Sequence, residues 1–477
     1  MPSEYAGRRI TGAGLGVSGV PAARAPRGLG AHVTVVNGSD GERQRAEAAE
    51  LEALGVTVHL GDGDTLPEGT ELVVTTPGWK PTSPLFQAAA RAGVQVIGDV
   101  EVAWRLRAEQ GRTPAPWLAV TGTNGKTTTV RMLAAILEAA GLRTVAVGNI
   151  GVSLFDVVLG DVEYDVLAVE LSSYQLHWAP SLRAHSATVL NLAPDHLDWH
   201  GSMEAYAADK GRIYEGNEVA CVYNVADPAT EDLVRAADVA EGCRAIGFTL
   251  GAPGPSQLGV VDGILVDRAF VPNRQRQAQE LAEVADLVSD APHNIANALA
   301  AAALARAFGV PATAVRDGLR AFRPEPHRME PVATVDRVHF VDDSKATNTH
   351  AAQASLAAYR PVVWIAGGLA KGATFDELVS ASAERLRGVV LIGADRTLIR
   401  EALERHAPHV PVVDLDRTDT GAMSAAVQAA VGLAEPGDTV LLAPACASMD
   451  MFTNYNKRGE AFADAVHALV AGRAEHE

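Results

Sequence analysis

The chain has 477 residues, 48% of them hydrophobic, with 40 basic against 58 acidic side chains and a formal net charge of −18. This length exceeds one ordinary core and predicts two to three domains, and the apolar content excludes a largely disordered protein. A surface with this much negative charge repels nucleic acid and anionic membranes. Any phosphate ligand must therefore bind in a local, dedicated pocket. Cys221, Cys243 and Cys446 stand far apart and predict neither a disulfide framework nor a zinc site.

The N-terminal segment pairs Arg8 and Arg9 with a glycine-rich apolar run that ends at Ala23. A signal peptide has this order, but four glycines interrupt the run, so it predicts a strand, a turn and a helix instead. The richest apolar stretch elsewhere, 296–310, contains Arg306 and is too short to span a bilayer. We therefore expect a soluble cytoplasmic protein without membrane insertion.

Short β-branched runs alternate with alanine-rich helical stretches, which predicts parallel sheets built from βαβ units. The predicted strands lie at 9–13, 32–36, 72–75 and 94–97, then at 144–147, 166–170, 187–191 and 218–222, and finally at 338–341, 362–366, 389–392, 412–415 and 439–442. Helices are predicted at 203–214 and 293–308. Proline-bearing linkers at 111–116 and 323–326 separate the blocks. We predict three α/β domains in series, at 1–112, 113–322 and 323–477.

A complete dinucleotide fingerprint, GxGxxG, lies at Gly14, Gly16 and Gly19 after the first predicted strand. A nicotinamide site also needs an acid at the end of the second strand to bind the ribose hydroxyls, and this strand ends on Asn37 instead. Asparagine can still bond a ribose or a base, so a nucleotide other than NAD is favoured. The alternative is that the glycines only pack helix against strand. Pro26 falls inside the predicted first helix and is expected to kink or shorten it.

The most informative segment, residues 119–129, reads AVTGTNGKTTT and follows an apolar strand. A glycine turn that closes on a helix N-terminus points backbone N–H groups at phosphate oxygens, and the helix dipole favours negative charge. Lys126 would reach the outer phosphates, and Thr127 would offer its hydroxyl to Mg²⁺. The common P-loop has its first glycine where Val120 stands, whereas this shorter loop starts at Gly122. The segment predicts a nucleoside triphosphate site.

Two further strand ends carry acids beside the predicted phosphate loop. Glu170 opens the run ELSSYQ, where a carboxylate can hold Mg²⁺ on the phosphates, with a plain surface acid as the alternative. The segment 191–198, NLAPDHLD, places His196 between Asp195 and Asp198. Open α/β sheets bind ligands at the carboxyl ends of their strands, which favours a ligand role for this histidine over a satisfied surface position.

Other polar residues of the second block are ambiguous from the sequence alone. Lys210 lies on the amphipathic stretch 203–214 and is typical of an exposed helix lysine. Asn294 and Asn297 lie three apart at the start of an alanine-rich helix and therefore share one face. Capping of that helix and recognition of a ligand by the two amides are equally open.

The third block carries two polar turns at strand ends. Residues 341–348, VDDSKATN, bring acid, hydroxyl, cation and amide together after one strand, and the run HRME precedes that strand at 327–330. Residues 443–450, APACASMD, follow the last strand, where Ser448 and backbone N–H groups could bind a carboxylate. Both turns predict a ligand site at the carboxyl edge of this sheet.

Taken together, these motifs resemble the Mur ligases. The runs GTNGKTT, GNIG (148–151), ELSSYQL, APDHLDWH, HNIANALAA, PHRME, DDSKATN and PACASMDMF occur in the order and at the spacing of that family, from about Gly14 to the C-terminus. DDSKATN is the discriminating run. It resembles the sequence at this position in the members that add D-glutamate to UDP-N-acetylmuramoyl-L-alanine, whereas the sister ligases carry different sequences at this position. The resemblance implies an ATP-dependent acid–D-amino-acid ligase of peptidoglycan precursor synthesis, and with it of cell shape and division.

For the fold, the resemblance implies a Rossmann-like N-terminal domain for the UDP moiety, a P-loop-type central ATPase domain, and a Rossmann-like C-terminal domain that closes for catalysis. For the reaction, it implies that the carboxylate of UDP-N-acetylmuramoyl-L-alanine takes the γ-phosphate of ATP. The amine of D-glutamate then attacks the acyl phosphate. The implied partners are small molecules and not nucleic acid, and we expect a monomer.

Matching the motif positions implies roles for individual residues. ATP would be held by Gly122, Thr123, Asn124, Gly125, Lys126, Thr127, Thr128, Asn294, Asn297, Arg328 and Asp343. Two Mg²⁺ sites would be formed by Thr127 and Glu170, and by His196 with Lys210, which in the family is N-carboxylated by carbon dioxide. Lys345, Thr347, Lys371, Ser448 and Tyr455 would surround the acyl phosphate and D-glutamate. Asn149, Ser172 and Gln175 would line the muramoyl-alanine path, with Leu15, Gly16, Asn37 and Gly78 near UDP. The implied catalytic residues are Lys126, His196, Lys210 and Lys345.

Two positions depart from the family pattern. Asn37 stands where an aspartate is usual, and the run 367–372 lacks an acid often found before Lys371. The uridine contact and the adenine and D-glutamate pockets are therefore expected to differ. Three alternatives stay open: another amide ligase of the same superfamily, such as a sister Mur ligase or a folylpolyglutamate synthase, a P-loop switch or regulatory ATPase without ligase chemistry, and a nicotinamide oxidoreductase built on the first block. DDSKATN and the first glycine loop disfavour the first, and Asn37 disfavours the last.

Overall fold

The computed structural model describes residues 3–16, 18–108, 111, 113–150, 152–324, 326–417, 419 and 421–474. The chain forms two compact units, Met1–Phe322 and Arg323–Glu477. The first unit contains two sheets and the second contains one, each with helices packed on it, which confirms an α/β fold. Gly151, which ends the motif at 148–151, lies outside the described residues, as do Arg112 and Glu325 of the predicted linkers.

The first sheet has five parallel strands in the order β3-β2-β1-β4-β5. Its strands are β1 (Arg9–Ala13), β2 (His32–Asn37), β3 (Thr57–Leu60), β4 (Leu72–Thr75) and β5 (Gln95–Gly98), and its helices are α1 (Gly19–Gly28), α2 (Glu42–Ala53), α3 (Pro84–Arg91) and α4 (Asp99–Leu106). The order reverses at β1, which is where open α/β sheets bind ligands. Helix α1 contains Pro26 and ends two residues later, because proline removes a helical hydrogen bond.

The second sheet has nine strands in the order β14-β13-β12-β11-β10-β9-β6-β8-β7. Its strands are β6 (Trp117–Thr121), β7 (Ala146–Gly148), β8 (Leu167–Glu170), β9 (Ser186–Val189), β10 (Ala220–Asn224), β11 (Arg244–Phe248), β12 (Gln257–Val261), β13 (Ile264–Asp267) and β14 (Gln279–Glu283). Its helices are α5 (Lys126–Ala139), α6 (Leu154–Leu159), α7 (Ser173–His177), α8 (Leu197–His200), α9 (Met203–Gly211), α10 (Pro228–Ala236), α11 (Pro292–Ala307) and α12 (Ala312–Ala321), with 3₁₀ turns at Arg212–Tyr214 and Val284–Asp286.

Strand β6 is an interior strand of this sheet and is buried on both faces. Leu118 and Val120 pack in the same core as α5 and α11, whereas Trp117 and Ala119 pack in the core that includes α4 and α6. This explains why β6 is apolar at nearly every position instead of alternating. The loop after β6 therefore lies at the carboxyl edge of the sheet, between the ends of β9 and β8.

The third sheet has six strands in the order β15-β16-β20-β17-β18-β19. Its strands are β15 (Glu330–Val335), β16 (Val338–Asp342), β17 (Val362–Gly367), β18 (Leu386–Ile392), β19 (Val412–Asp414) and β20 (Thr439–Leu442), and its helices are α13 (Thr349–Ala357), α14 (Asp376–Ser382), α15 (Arg396–His406), α16 (Ala422–Leu433) and α17 (Tyr455–Ala474), with a 3₁₀ turn at Ala383–Arg385. Separate apolar cores cover its two faces, so helices flank it on both sides.

The sheets are mainly parallel, as predicted, but two of them carry antiparallel strands at one edge. Strand β13 is antiparallel to both of its neighbours, β12 and β14, and β15 is antiparallel to β16. Two-residue turns connect β12 to β13 through Asp262 and Gly263, and β15 to β16 through Asp336 and Arg337, all four with positive φ. Asp-Gly between apolar runs is a strong hairpin signal that the sequence analysis missed, as it missed the edge strand β3.

One local prediction needs correction, and one pair of cysteines lies closer than its sequence spacing indicates. The helix predicted at 203–214 ends at Gly211 and continues only as the 3₁₀ turn Arg212–Tyr214. Cys221 and Cys243 are distant in sequence, but strands β10 and β11 pair, and the two Sγ atoms lie 3.9 Å apart. Both thiols are free, so no disulfide joins them.

Membrane spans require long apolar helices. Among the described residues, no helix has the combination of length and apolarity that crossing a bilayer needs.

Candidate active site

The phosphate loop connects the end of β6 to the start of α5. Gly125 ends the loop in the left-handed region, at φ 83°, and a β-carbon there would collide with the side chain of Asn297, so only glycine fits. Lys126, Thr127 and Thr128 form the first turn of the helix. Backbone N–H groups at a helix N-terminus have no helical acceptor, so this turn is suited to an anion.

A turn after β9 holds the phosphate loop in shape. The side chain of Asn191 accepts from the N–H of Asn124 at 2.8 Å and donates to its carbonyl at 3.1 Å. The hydroxyl of Thr123 accepts from the N–H of Ala193 at 3.0 Å and lies 3.0 Å from the hydroxyl of Tyr206. The sequence analysis gave Asn191 and Tyr206 no role, although the place of Asn191 near a strand end was a usable signal.

Two lysines converge on one carbonyl of the loop. Nζ of Lys126 donates to the carbonyls of Gly122 and Thr123, each at 2.9 Å, and Nζ of Lys210 donates to the carbonyl of Gly122 at 2.8 Å. Lys210 is 2% exposed, so the interpretation of it as an exposed helix lysine is wrong. Burial, and next the charge of Lys126, hold the pKa of Lys210 well below its usual range. A lysine amine of low pKa can act as a neutral nucleophile.

Glu170 lies at the end of β8, which pairs directly with β6. Its Oε1 accepts from the side-chain amide of Asn149 at 3.0 Å. Its Oε2 is buried and has no hydrogen-bond partner among the described residues. An unpartnered buried carboxylate oxygen costs free energy unless a cation binds it. Glu170 therefore fits the Mg²⁺ that the sequence analysis placed here, and the alternative of a surface acid is wrong, because Glu170 is buried.

His196 occupies a strained turn before α8. It is a non-glycine residue in the left-handed region, at φ 54°, and its Nε2 lies 3.5 Å from a carboxylate oxygen of Asp195. Its ring packs against Tyr174 at 4.9 Å between centroids. Strained backbone is most common at functional turns. Helix α8, which follows this turn, contacts the loop after β4, because Nε1 of Trp199 donates to the carbonyl of Trp79 at 3.1 Å.

Several predicted site residues make structural hydrogen bonds with one another. Ser172 and Gln175 form a capping box on α7, in which each side chain accepts from the backbone N–H of the other, at 3.2 and 3.0 Å. Asn294 donates to the carbonyl of Ser289 at 2.7 Å, so it holds the loop before α11, whereas Asn297 faces Gly125. The two asparagines therefore differ in role despite their shared helix face.

The first glycine loop follows β1 and is held by Asn37. Oδ1 of Asn37 accepts from the N–H of Leu15 at 3.3 Å, and its Nδ2 donates to the carbonyl of Ser39 at 2.8 Å. Gly16 adopts φ 96° in this loop. Gly78 follows β4, the neighbour of β1, so all the residues predicted near UDP lie at one edge of the first sheet. The structure thus brings this predicted set together.

In the second unit, a buried acid follows β16. Asp343 accepts from the N–H of Met329 at 3.3 Å and from the hydroxyl of Ser355. Burial raises the pKa of Asp343 to about 6, although the hydrogen bond from Ser355 and the charge of Arg328 act in the opposite direction. Arg328 and Asp343, both predicted to hold ATP, therefore interact electrostatically.

Lys345 and Tyr455 also meet in the second unit. Nζ of Lys345 lies 3.9 Å from the ring centroid of Tyr455, a cation–π contact. The preceding residue, Ser344, donates its hydroxyl to the carbonyl of Tyr455 at 2.7 Å and accepts from Nε of Arg458 at 3.0 Å. The buried Arg458 was missed by the sequence analysis, because an arginine inside an amphipathic helix gives no signal of burial.

The residues predicted to bind D-glutamate follow three neighbouring parallel strands. Thr347 comes after β16, Ser448 after β20 and Lys371 after β17. Ser448 is buried, Lys371 is exposed, and Lys371 adopts φ 49°. Since parallel strands end at the same edge, the three side chains lie along one edge of the third sheet.

Comparisons with known proteins agree with this arrangement. The Mur ligase middle domain family matches residues 120–305, and the family described as Mur ligase, glutamate ligase domain, matches residues 327–446. The UDP-N-acetylmuramoylalanine–D-glutamate ligase of Streptomyces coelicolor is 80% identical over 471 residues, which cover 99% of this chain and all of that protein. The ligase of the same name from Thermobifida fusca is 60% identical and covers 98% of this chain.

Solved structures share the fold. The MurF ligase of Thermotoga maritima in complex with ADP has a TM-score of 0.59 at 17% identity and covers 98% of this chain and 99% of its own. The UDP-N-acetylmuramate–alanine ligase of the same organism has a TM-score of 0.55 at 18% identity, over 97% of this chain and 99% of its own. The chain belongs to the Mur ligase family. It is an ATP-dependent ligase of peptidoglycan synthesis.

Proposed function

We propose that this protein adds D-glutamate to UDP-N-acetylmuramoyl-L-alanine with cleavage of ATP to ADP and phosphate, as a cytoplasmic monomer. The observation that carries the proposal is the convergence of Lys126 and Lys210 on the phosphate loop beside the buried Glu170. The name shared by relatives up to 80% identical over almost the full chain supports the choice of substrates.

The reaction has two steps. A carboxylate oxygen of the substrate attacks the γ-phosphorus of ATP, the bond to the β,γ-bridging oxygen breaks, and ADP leaves. The amine of D-glutamate then attacks the carbonyl carbon of the acyl phosphate, phosphate leaves, and one proton is released as the amide forms. Such steps depend on in-line positioning and on stabilisation of the transferring phosphoryl group. Lys126 and the N–H groups of the loop are the groups of this chain placed for that task.

Mg²⁺ would be held by Glu170 and Thr127 at one site and by His196 at another. Bound there, the metal would neutralise charge on the β- and γ-phosphates. The fit rests on the unpartnered Oε2 of Glu170 and on the place of Thr127 in the first turn of α5. Oxygen donors in this small number suit Mg²⁺, which keeps several waters, and the imidazole of His196 would be its one nitrogen ligand.

Lys210 would complete the second site as a carbamate. A neutral lysine amine attacks carbon dioxide, an N–C bond forms, a proton is released, and the product is an anion able to ligate metal. The buried position and lowered pKa of Lys210 support this step, because an ammonium could not attack. We expect Lys210→Ala to be inactive and acetate or formate to restore part of the activity by replacing the carbamate. Lys126→Ala is the matched control, since a short acid cannot replace its cation.

The first sheet would bind the UDP moiety. Leu15, Gly16, Asn37 and Gly78 lie at one sheet edge, and the Asn37 side chain already holds the Leu15 N–H, which leaves the glycine loop preformed. Ser172 and Gln175 would line the muramoyl-alanine path from α7, together with Asn149.

The second unit would bind the incoming amino acid. A hydroxyl from Thr347, the buried Ser448 and the ammonium of Lys371 form a receptor suited to the two carboxylates of glutamate. Arg328 and Asp343 would contact ATP and Lys345 the acyl phosphate. We retain the three-domain division at 1–112, 113–322 and 323–477, which agrees with one sheet in each segment.

A coupled ADP-release assay with UDP-N-acetylmuramoyl-L-alanine and a panel of amino acids tests the proposal. We expect release with D-glutamate and none with L-alanine, D-alanine or meso-diaminopimelate. ADP release without any amino acid would identify a P-loop ATPase that lacks ligase chemistry. Release with a different member of the panel would identify a sister ligase.

A further inference from the structure

A buried cluster of ionisable side chains surrounds Asp209, the residue before Lys210. Its carboxylate accepts from Nδ1 of His177 at 2.8 Å and from Nδ1 of His200 at 2.9 Å, and Nε of Arg212 lies 3.2 Å away. These partners come from three elements, since His177 ends α7, His200 ends α8 and Arg212 follows α9. None of them belongs to the predicted ATP, metal or substrate contacts.

The cluster extends to α7 through a second hydrogen bond. Nε2 of His200 lies 2.9 Å from the hydroxyl of Ser173, so Ser173, His200 and Asp209 form a chain like the triad of a serine hydrolase. Ser173 is 2% exposed and the side chain of His200 is 0% exposed. No substrate can reach the Ser173 hydroxyl, so the chain of hydrogen bonds acts on neighbouring structure instead of on a substrate.

The neighbouring structure that needs support is α9. This helix has nine residues, a length at which an isolated helix is unstable in water, so tertiary contacts must hold it. Lys210 lies in its last turn, and its side chain must reach the carbonyl of Gly122 across the sheet edge. The carboxylate of Asp209, the residue before Lys210, ties α9 to the two histidines. Tyr206, on the same helix, packs its ring against His200 with 5.2 Å between the ring centroids.

We propose that Asp209, with His177 and His200, is a positioning residue that fixes α9 against α7 and α8 and thereby holds Nζ of Lys210 at the phosphate loop. This inference rests on the proposed function, in which Lys210 carries a carbamate. Asp209 does not touch the reacting atoms. It acts through the helix that it anchors, and a shift of about 1 Å in a reacting or ligating group costs on the order of 10²-fold in rate.

A double-mutant cycle tests the proposal in the full chain. Asp209→Asn preserves the shape but places an NH₂ group against the donors of His177, His200 and Arg212. We expect kcat to fall about 10²-fold with the KM for ATP nearly unchanged. In Lys210→Ala supplied with acetate, the acid is not attached to α9, so the position of this helix no longer determines where the acid binds. Adding Asp209→Asn to this variant should therefore lower the restored rate less than about threefold. The carbamate signal of the wild type in ¹³C NMR with labelled bicarbonate should fall several-fold in Asp209→Asn alone.

Asp267→Asn is the matched control. Asp267 is also buried and binds an arginine, Arg306, at 2.9 Å, together with the N–H groups of Ala269 and Phe270, but it lies on β13, far from β6 in the strand order. We expect it to lower thermal stability and leave kcat and the ¹³C signal unchanged. This separates positioning from general loss of stability.

The possible results distinguish the positioning role of Asp209, the carbamate on Lys210 and the choice of substrate. A full carbamate signal in Asp209→Asn, or an equal loss of rate in the presence and absence of the Lys210 side chain, would overturn the positioning role. No ¹³C signal in the wild type would instead overturn the carbamate, and with it this inference. If the wild type forms the carbamate but does not use D-glutamate, only the choice of substrate fails.

Discussion

The buried acid Asp99, at the start of α4, should make the stability of the protein depend measurably on pH. It opens α4 directly after β5 and is almost fully buried. Burial raises its pKa from 3.8 to about 6, although the N–H of Val100, at 2.9 Å, and the hydroxyl of Ser18 stabilise the ionised form. At neutral pH the folded protein therefore carries a carboxylate that its surroundings disfavour.

The magnitude follows from linkage. A change in pKa from 3.8 to about 6 corresponds to about 3 kcal/mol, at 1.36 kcal/mol for each pH unit. The pKa of Asp99 is higher in the folded state than in the unfolded state, so ionisation of Asp99 lowers the free energy of unfolding. The stability that the protonated carboxyl contributes is fully present below pH 3.8, where both states are protonated, and is lost as the pH rises through about 6. Asp99→Asn cannot ionise, yet its side-chain oxygen can accept the same N–H.

We therefore expect Asp99→Asn to gain about 3 kcal/mol in unfolding free energy relative to the wild type between pH 4 and pH 8. Denaturant unfolding followed by tryptophan fluorescence is a suitable assay, because five of the six tryptophans lie in the unit Met1–Phe322. Taking the difference between the two proteins at each pH cancels the titration of all other groups. A difference that stays constant from pH 4 to pH 8 would refute a raised pKa at Asp99.

Three further predictions concern the site. Lys126→Ala should fold normally but lose at least about 10²-fold in ligation rate, and a residual rate above about a tenth of wild type would reject the phosphate-loop assignment. Gly125→Ala should abolish ATP binding in a nucleotide-binding assay, because a β-carbon at φ 83° collides with Asn297, whereas Gly141→Ala, at φ 79° in open space, should bind ATP normally. Ser448→Ala and Lys371→Ala should raise the KM for D-glutamate far more than the KM for ATP, with strong preference for D- over L-glutamate in the wild type. Equal turnover of the two enantiomers would remove the assignment of the acceptor.

The carboxyl ends of strands were predictable because their signal is local. The turn after β6 and the acid after β8 combine an apolar strand with polar residues directly beyond it, and parallel strands must end at the same edge. The hairpin at Asp262 and Gly263 was equally local, but it lies outside any motif and was passed over. Residues adjacent in sequence therefore suffice to predict strand ends and hairpins, provided that every position is checked for turn-forming residues.

Lys210 shows where local pattern fails. Its helix is amphipathic and short, and nothing in residues 203–214 reveals that α9 packs against α7 and α8 or that the amine of Lys210 meets the carbonyl of Gly122. The same holds for Cys221 and Cys243, which meet only because β10 pairs with β11. Burial of a lysine is a property of long-range packing, so the sequence suggests the proposed role of Lys210 only through the resemblance to a family.

The net charge of −18 and the positive charge of Lys126 act at different ranges. At an ionic strength of 0.1 M, charges more than about 10 Å apart in solvent are largely screened, so the acidic surface scarcely opposes a bound triphosphate. At about 4 Å and an effective dielectric constant of about 20, one lysine contributes on the order of 4 kcal/mol of attraction to a phosphate charge. Rising salt should therefore speed the approach of the nucleotide while it weakens the bound complex little, because Lys126, in the first turn of α5, would bind the phosphate at short range.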